Sequence, residues 1–169
     1  TSHMNIRLFC ILDKKNNINE WWSGGGYDLT PFLPYKRDCK KWHKDAKTFL
    51  DGYNKTFYKR FSKNCNEYFY IPHRNERRGI GGIFFDNFKQ LSLQKTLLLL
   101  SDTASQYKNS YTTLANLRRQ KKYTKSQKDF QLLRRGRYAE FNLVYDRGTA
   151  FGLQSNGRIE SILASLPSD

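Results

Sequence analysis

His3, Asn5 and Arg7 stand two residues apart near the head of the chain, in a run whose polarity alternates. An extended backbone places every second side chain on one face, about 7 Å apart, so these three would line one face of a strand. Together they offer a proton carrier that titrates near neutrality, a neutral amide that donates and accepts, and a permanent cation with a planar fork of donors. Such a row suits an anionic ligand lying across the strand. It is equally compatible with a solvated outer face.

Gly24, Gly25, Gly26 and Asp28 form a second group. Three consecutive glycines clear side chains from a place where something flat or bulky must approach backbone. Asp28 adds a carboxylate beside it, able to pair with Arg7 across a hairpin or to accept N–H groups from a ligand. A flexible turn with an Asx cap is the plainer alternative.

The histidines are His3, His43 and His73, with no pair four residues apart and no H-E-x-x-H string, so the sequence signal for a metal is weak. His43 falls on an apolar helix face, where a satisfied core residue is expected. His73 neighbours Arg74, Arg77 and Arg78, whose charges oppose its protonation. Arg74, Arg77, Arg78, Arg134, Arg135, Arg137, Arg147 and Arg158 sit beside expected strand starts and turns. They could bind carboxylates bidentately, or serve as solvated faces and sheet-edge protection.

The elements that must position these groups follow from periodicity. Residues 3–12 alternate with period two and read as a strand, with Met4, Ile6, Leu8, Cys10 and Leu12 on one face. Residues 13–19 read as a hairpin loop and 20–22 as the returning strand. Cys39, Trp42, His43, Ala46, Phe49 and Leu50 repeat at helical spacing over 36–50. A short helix is expected over 54–65, a glycine-bearing strand over 80–85, a long helix over 92–119 and another over 126–135. Strands are expected at 138–145, 150–154 and 158–166. The order predicts one α+β domain over 1–169, with a large, mainly antiparallel β-sheet flanked by α-helices on both faces.

Aromatic residues make up 15% of the 169-residue chain, which supports a packed core rather than disorder. Lys and Arg number 30 against 15 Asp and Glu, a formal charge of +15 that attracts anions of any kind. A nucleic-acid-binding module would use that charge with tyrosine stacking, but no RNP-like or helix-turn-helix string accompanies it. Cys10, Cys39 and Cys65 are widely spaced and odd in number, which argues against a disulfide framework and for reduced thiols. No apolar run approaches the roughly 20 residues of a membrane helix.

Five long strings together resemble oxygen-dependent coproporphyrinogen oxidases: TSHMNIRLF at 1–9, WWSGGGYDLTP at 21–31, HRNERRGIGGIFFD at 73–86, RRGRYAEFNLVYDRGT at 134–149 and FGLQSNGRIESIL at 151–163. The resemblance implies a flat antiparallel sheet sandwiched by helices, in a cytoplasmic homodimer joined through the strands of about 134–166. It implies coproporphyrinogen III as substrate, molecular oxygen as co-substrate and no organic cofactor, with two propionates becoming vinyls. His3 matches a proton donor, Asp28 the aspartate that binds pyrrole N–H groups, and Asn5 and Arg7 substrate-contacting positions, Arg7 counted with the catalytic set. Asn156, Gly157 and Arg158 match a substrate-contacting turn. His3, His43 and His73 match positions to which a divalent metal is sometimes assigned. Ser23, Asn87, Asn156 and Ala164 depart from the family's usual Phe, Asp, Gly and Met. The family's N-terminal third and C-terminal tail have no counterpart here, so a catalytically silent dimerisation fragment is the alternative outcome.

Overall fold

The computed structural model of the chain describes residues 1–164 and 166. In order these form β1 (Ser2–Leu12), β2 (Ile18–Leu29), α1 (Lys36–Asp51), α2 (Phe57–Tyr68), the two-residue strands β3 (Tyr70–Ile71) and β4 (Glu76–Arg77), β5 (Gly81–Phe88), α3 (Leu93–Arg118), α4 (Lys125–Val144), α5 (Arg147–Gln154) and the short α6 (Ile159–Ile162). β1, β2 and β5 make an antiparallel sheet in that order, and β3 pairs with β4 apart from it. Helices hold 54% of the residues and strands 21%. The α+β class therefore holds, but the sheet is small, not large.

Alternation divides the sheet into two faces. Met4, Ile6 and Leu8 of β1 join Tyr27, Leu29, Ile83, Phe85 and Phe88 in the main apolar core, which α1, α2 and α3 cover. Trp42, Ala46 and Leu50 of α1 repeat at four-residue spacing and are fully buried. Each apolar side chain of Leu or Phe size buried here contributes roughly 1.5–3 kcal/mol. The indole of Trp42 also donates to the Gly81 carbonyl at 3.0 Å, which fixes α1 against the start of β5. Asn87 has a left-handed φ of 49° and creates a bulge, so Ser23 pairs with Phe88 while Gly25 pairs with Phe85. Without the extra residue Phe88 would point away from this core. Asn tolerates that backbone better than most residues, which explains how the chain accepts Asn87.

The main correction lies C-terminal. The stretches 138–145 and 150–154, expected as strands, are the end of α4 and most of α5, and the strand expected over 158–166 is replaced by the turn and α6 as far as residue 164, with residue 165 outside the described residues. Tyr138, Phe141 and Tyr145 look strand-forming by type, yet Tyr138, Phe141 and Asn142 are the residues α4 buries, at i, i+3 and i+4. Thr124 and Gln127 start that helix with a reciprocal capping box, and Asp146 starts α5 by accepting the Thr149 N–H at 2.8 Å. Phe141 packs with Phe69, Ile71 and Phe84, so α4 covers part of the sheet's second face. Asn156 takes the left-handed conformation, φ 54°, in the turn after α5, the geometry for which glycine is the usual residue.

Candidate functional site

The second face of the sheet carries the polar row. β1 and β2 pair with His3 opposite Asp28, Asn5 opposite Gly26 and Arg7 opposite Gly24. Cross-strand partners share a face, so His3 and Asp28 are neighbours, with Nδ1 3.9 Å from the carboxylate. Asp28 does not pair with Arg7. Its partner is Arg78, whose Nη2 donates to both carboxylate oxygens at 2.9 and 2.8 Å. Arg78 Nη1 donates to Asn142 at 2.8 Å, and the guanidinium lies 4.0 to 4.9 Å from the ring centres of Phe69, Tyr138 and Phe141. The pair is almost fully buried, Asp28 at 2% exposure and Arg78 at 1%. A carboxylate has about four lone-pair directions, so this arrangement leaves acceptor capacity on Asp28 beside His3.

Burial lowers the His3 pKa below its ordinary 6.5; Asp28 opposes this and Arg78 reinforces it. Burial thus favours the neutral form of the imidazole. His3 stands between two openings. A chamber of about 170 Å³ is lined by His3, Arg78, Asn142, Asp146 and Thr149. A cleft of about 520 Å³ is lined by His3, Asn5, Arg7, Tyr68, Phe84 and the Asp146–Gly148 start of α5, among others, a size typical of small-molecule sites.

Arg7 is held in the cleft from two sides, donating to Asn5 Oδ1 at 2.6 Å and to Asp86 Oδ1 at 3.0 Å. Its guanidinium covers Gly24, where a Cβ would come within 2.7 Å of Nε. The glycine run thus makes room for the chain's own groups: Arg7 over Gly24, and the backbone of Ile83 and Phe84 against Gly26. The cleft is continued by Tyr68, stacked on Phe84 at 4.5 Å and donating to Asp146 at 2.9 Å.

The other candidate residues lie elsewhere. His43 is on the opposite side of the sheet, its Nε2 3.0 Å from the Ile80 carbonyl and its Nδ1 3.2 Å from the Tyr58 hydroxyl. His73 sits between the Tyr145 hydroxyl at 2.7 Å and Glu140 at 2.5 Å. The structure does not bring His3, His43 and His73 together, and among the described residues no group of three or more His, Cys, Asp or Glu side chains is placed to hold a metal ion. The residues present do not fit a three-histidine centre. Asn156, Gly157 and Arg158 occupy an exposed turn and line neither opening. Arg158 pairs with Glu160 at 3.3 Å.

Most of the other arginines fasten α4 rather than face the cleft. Arg134 and Arg137 reach Glu76, Arg74 reaches Glu140, and Arg135 reaches Thr1. Hydrogen bonds from Arg74 and then His73 depress the Glu140 pKa from 4.5 to about 2. A depressed carboxylate contributes fully above the unfolded pKa near 4.5 and loses its contribution as pH falls through about 2. An NMR titration of the Glu140 carboxyl is expected to give a midpoint near 2. A midpoint near 4.5 would mean that the tether to His73 and Arg74 is not made in solution.

Arg78, Asp86, Asp146 and Arg147 were not singled out as site residues by sequence reasoning. Arg78 and Arg147 are two of several arginines beside expected strand starts and turns, and nothing local distinguishes a buried partner of Asp28, 50 residues away in sequence, from a solvated one.

The family profile described as coproporphyrinogen III oxidase matches residues 1–169. The chain is 51% identical over 168 residues to the oxygen-dependent coproporphyrinogen-III oxidase of Francisella tularensis subsp. holarctica (strain OSU18), covering 99% of this chain and 54% of that protein. The protein of the same description from Francisella philomiragia subsp. philomiragia (strain ATCC 25017) is 49% identical over 168 residues, again 99% and 54%. The chain spans about half the length of these relatives.

Proposed function

The chain belongs to the coproporphyrinogen III oxidase family, and we propose that it carries the pyrrole-activating part of a site for oxygen-dependent oxidative decarboxylation of coproporphyrinogen III. The observation that carries this reading is His3 beside the buried Asp28–Arg78 pair, at the head of a cleft that Arg7 enters. Asp28 uses its remaining acceptor capacity for pyrrole N–H groups, and Arg78 holds that carboxylate in place. His3 exchanges a proton with the substrate, and Asn5 and Arg7 take a propionate. Asn156, Gly157 and Arg158 do not line the cleft; their part in this reading is to place α6, whose Ile162 lines the smaller chamber. In each round one oxygen molecule accepts two electrons and, with two protons, leaves as hydrogen peroxide. One β C–H bond and the C–C bond to the carboxylate break, carbon dioxide departs, and a vinyl group remains. The protein supplies orientation and charge placement, and the reading needs no organic cofactor.

Homodimer formation through residues of about 134–166 belongs to the same proposal, supported by the exposed Leu143, Val144, Phe151 and Leu153. A cytoplasmic location is proposed with it. Among the described residues no helix is long and apolar enough to cross a membrane.

The test is aerobic incubation of the purified chain with coproporphyrinogen III and a chelator, reading vinyl product by chromatography. Product from the wild type, with His3→Ala slower by about 10²–10⁴-fold, is the expected result. No product from the wild type would leave these 169 residues as a silent fragment.

A further inference from the structure

A separate cavity of about 460 Å³ lies beyond the end of β2, between the 31–35 loop, the start of α1, the last turns of α3 and the first turns of α4. It shares no lining residue with either opening beside His3, and its volume is one at which small-molecule sites are common. Its floor is apolar: the buried Leu29 and Leu114, with the half-buried Phe32, Leu33, Tyr111 and Ala115 around them. Its rim is basic. Arg118, Lys121, Lys122 and Lys128 stand there against one carboxylate, Asp38. That carboxylate is already committed, accepting from Arg118 Nε at 2.7 Å and from Nη2 at 2.8 Å.

The three lysines make no ion pair among the described residues. Lys121 lies 4.8 Å from the ring centre of Tyr35, on which Arg118 also rests at 4.0 Å, and Lys128 donates to the Gln131 amide at 3.0 Å. Positive charge is therefore left over at the mouth of an apolar cavity. A neutral apolar molecule would gain from the floor alone, and a small inorganic anion from the rim alone. A molecule with both an apolar body and one negative charge uses the whole site. We propose that this cavity binds a small amphipathic anion, an aromatic body carrying a single carboxylate or sulfonate, with the body on Leu29, Phe32 and Leu114 and the anionic head at Lys121 and Lys122. The inference goes beyond the reading of the cleft and does not depend on it.

The probes are 8-anilinonaphthalene-1-sulfonate and N-phenyl-1-naphthylamine, fluorescent molecules with the same aromatic body, the second without the charge. Each is titrated at low salt against the wild type and three variants, all first checked for folding by circular dichroism. Ala115→Trp fills the cavity from α3 and is expected to raise Kd for both probes about tenfold or more. The double variant Lys121→Ala/Lys122→Ala changes two exposed side chains. It is expected to weaken the sulfonate about three- to tenfold and to leave the neutral probe within about twofold. Added salt should likewise weaken only the sulfonate, because the head-group pairing is screened and the burial of the body is not. Leu153→Ser, on the exposed apolar surface of α5, is expected to change neither Kd. An unchanged sulfonate Kd in Ala115→Trp, or a loss of binding in Leu153→Ser, would place the dye on another apolar surface and overturn the site. Equal responses of the two probes to the lysine variant would overturn the selection for an anion.

Discussion

Asp28→Ala is expected to lower the stability of the chain by about 3–5 kcal/mol, the typical result of removing one partner from a buried ion pair. Arg78 is 1% exposed, and the change would leave its charge enclosed by Phe69, Tyr138 and Phe141 with Asn142 as its remaining side-chain hydrogen-bond acceptor. The stacked rings supply some compensation, but a buried cation without its carboxylate retains most of its desolvation penalty. On the proposed function the same variant would also lose turnover, and the two effects have to be separated. The double variant Asp28→Ala/Arg78→Leu removes both charges and fills the space with an apolar side chain, so it is expected to recover a large part of the lost stability, without the carboxylate that the proposed function needs. Urea denaturation of the wild type, both single variants and the double variant measures the coupling. A double variant no more stable than Asp28→Ala would show that the carboxylate is not what compensates Arg78.

Gly82→Ala and Gly26→Ala are expected to destabilise by upwards of about 3 kcal/mol, among the largest effects of a single added methyl group. Both glycines lie in the β2–β5 pairing. A Cβ on Gly82 would fall 2.0 Å from the Tyr27 carbonyl oxygen, and one on Gly26 would fall 2.1 Å from that of Ile83. These are backbone atoms of the neighbouring strand, so relief requires the strands to separate. Gly82 pairs with Asp28, so separation also draws the carboxylate away from Arg78. Gly136→Ala is the control. Gly136 lies within α4 with nothing inside 4 Å of its would-be Cβ, and Ala there is expected to stabilise by up to about 1 kcal/mol. Thermal melts of the three variants give the contrast directly. Equal, small effects at positions 26, 82 and 136 would contradict the tight β2–β5 pairing.

The sequence determined the elements whose periodicity is strong. The alternation of 3–12 fixed one polar and one apolar face for β1, and the spacing of Trp42, Ala46 and Leu50 fixed the buried side of α1. It also placed His3, Asn5 and Arg7 on one face and Asp28 near them, because strand geometry is local and repeats every two residues. The long strings carried the family itself, now matched over the whole chain. What local pattern could not decide was the C-terminal third. Tyr138, Phe141 and Val144 favour a strand by side-chain type, but β-propensity is mostly a statement about packing. Here the packing partner is the Phe69–Ile71–Phe84 cluster, which a helical face at i, i+3 and i+4 covers.

Only the tertiary structure decided which charge meets which. In sequence Asp28 had Arg7 as its nearest candidate across the hairpin; in space Arg7 goes to Asp86, and Arg78 comes from beyond α2 to take Asp28. The three histidines, similar as letters, occupy a cleft wall, the helical side of the sheet and a 3-10 turn beside α4. The physical reason is that an ion pair's energy depends on distance and burial, not on sequence separation. Neither quantity exists until β5 has paired with β2 and α4 has closed over the sheet.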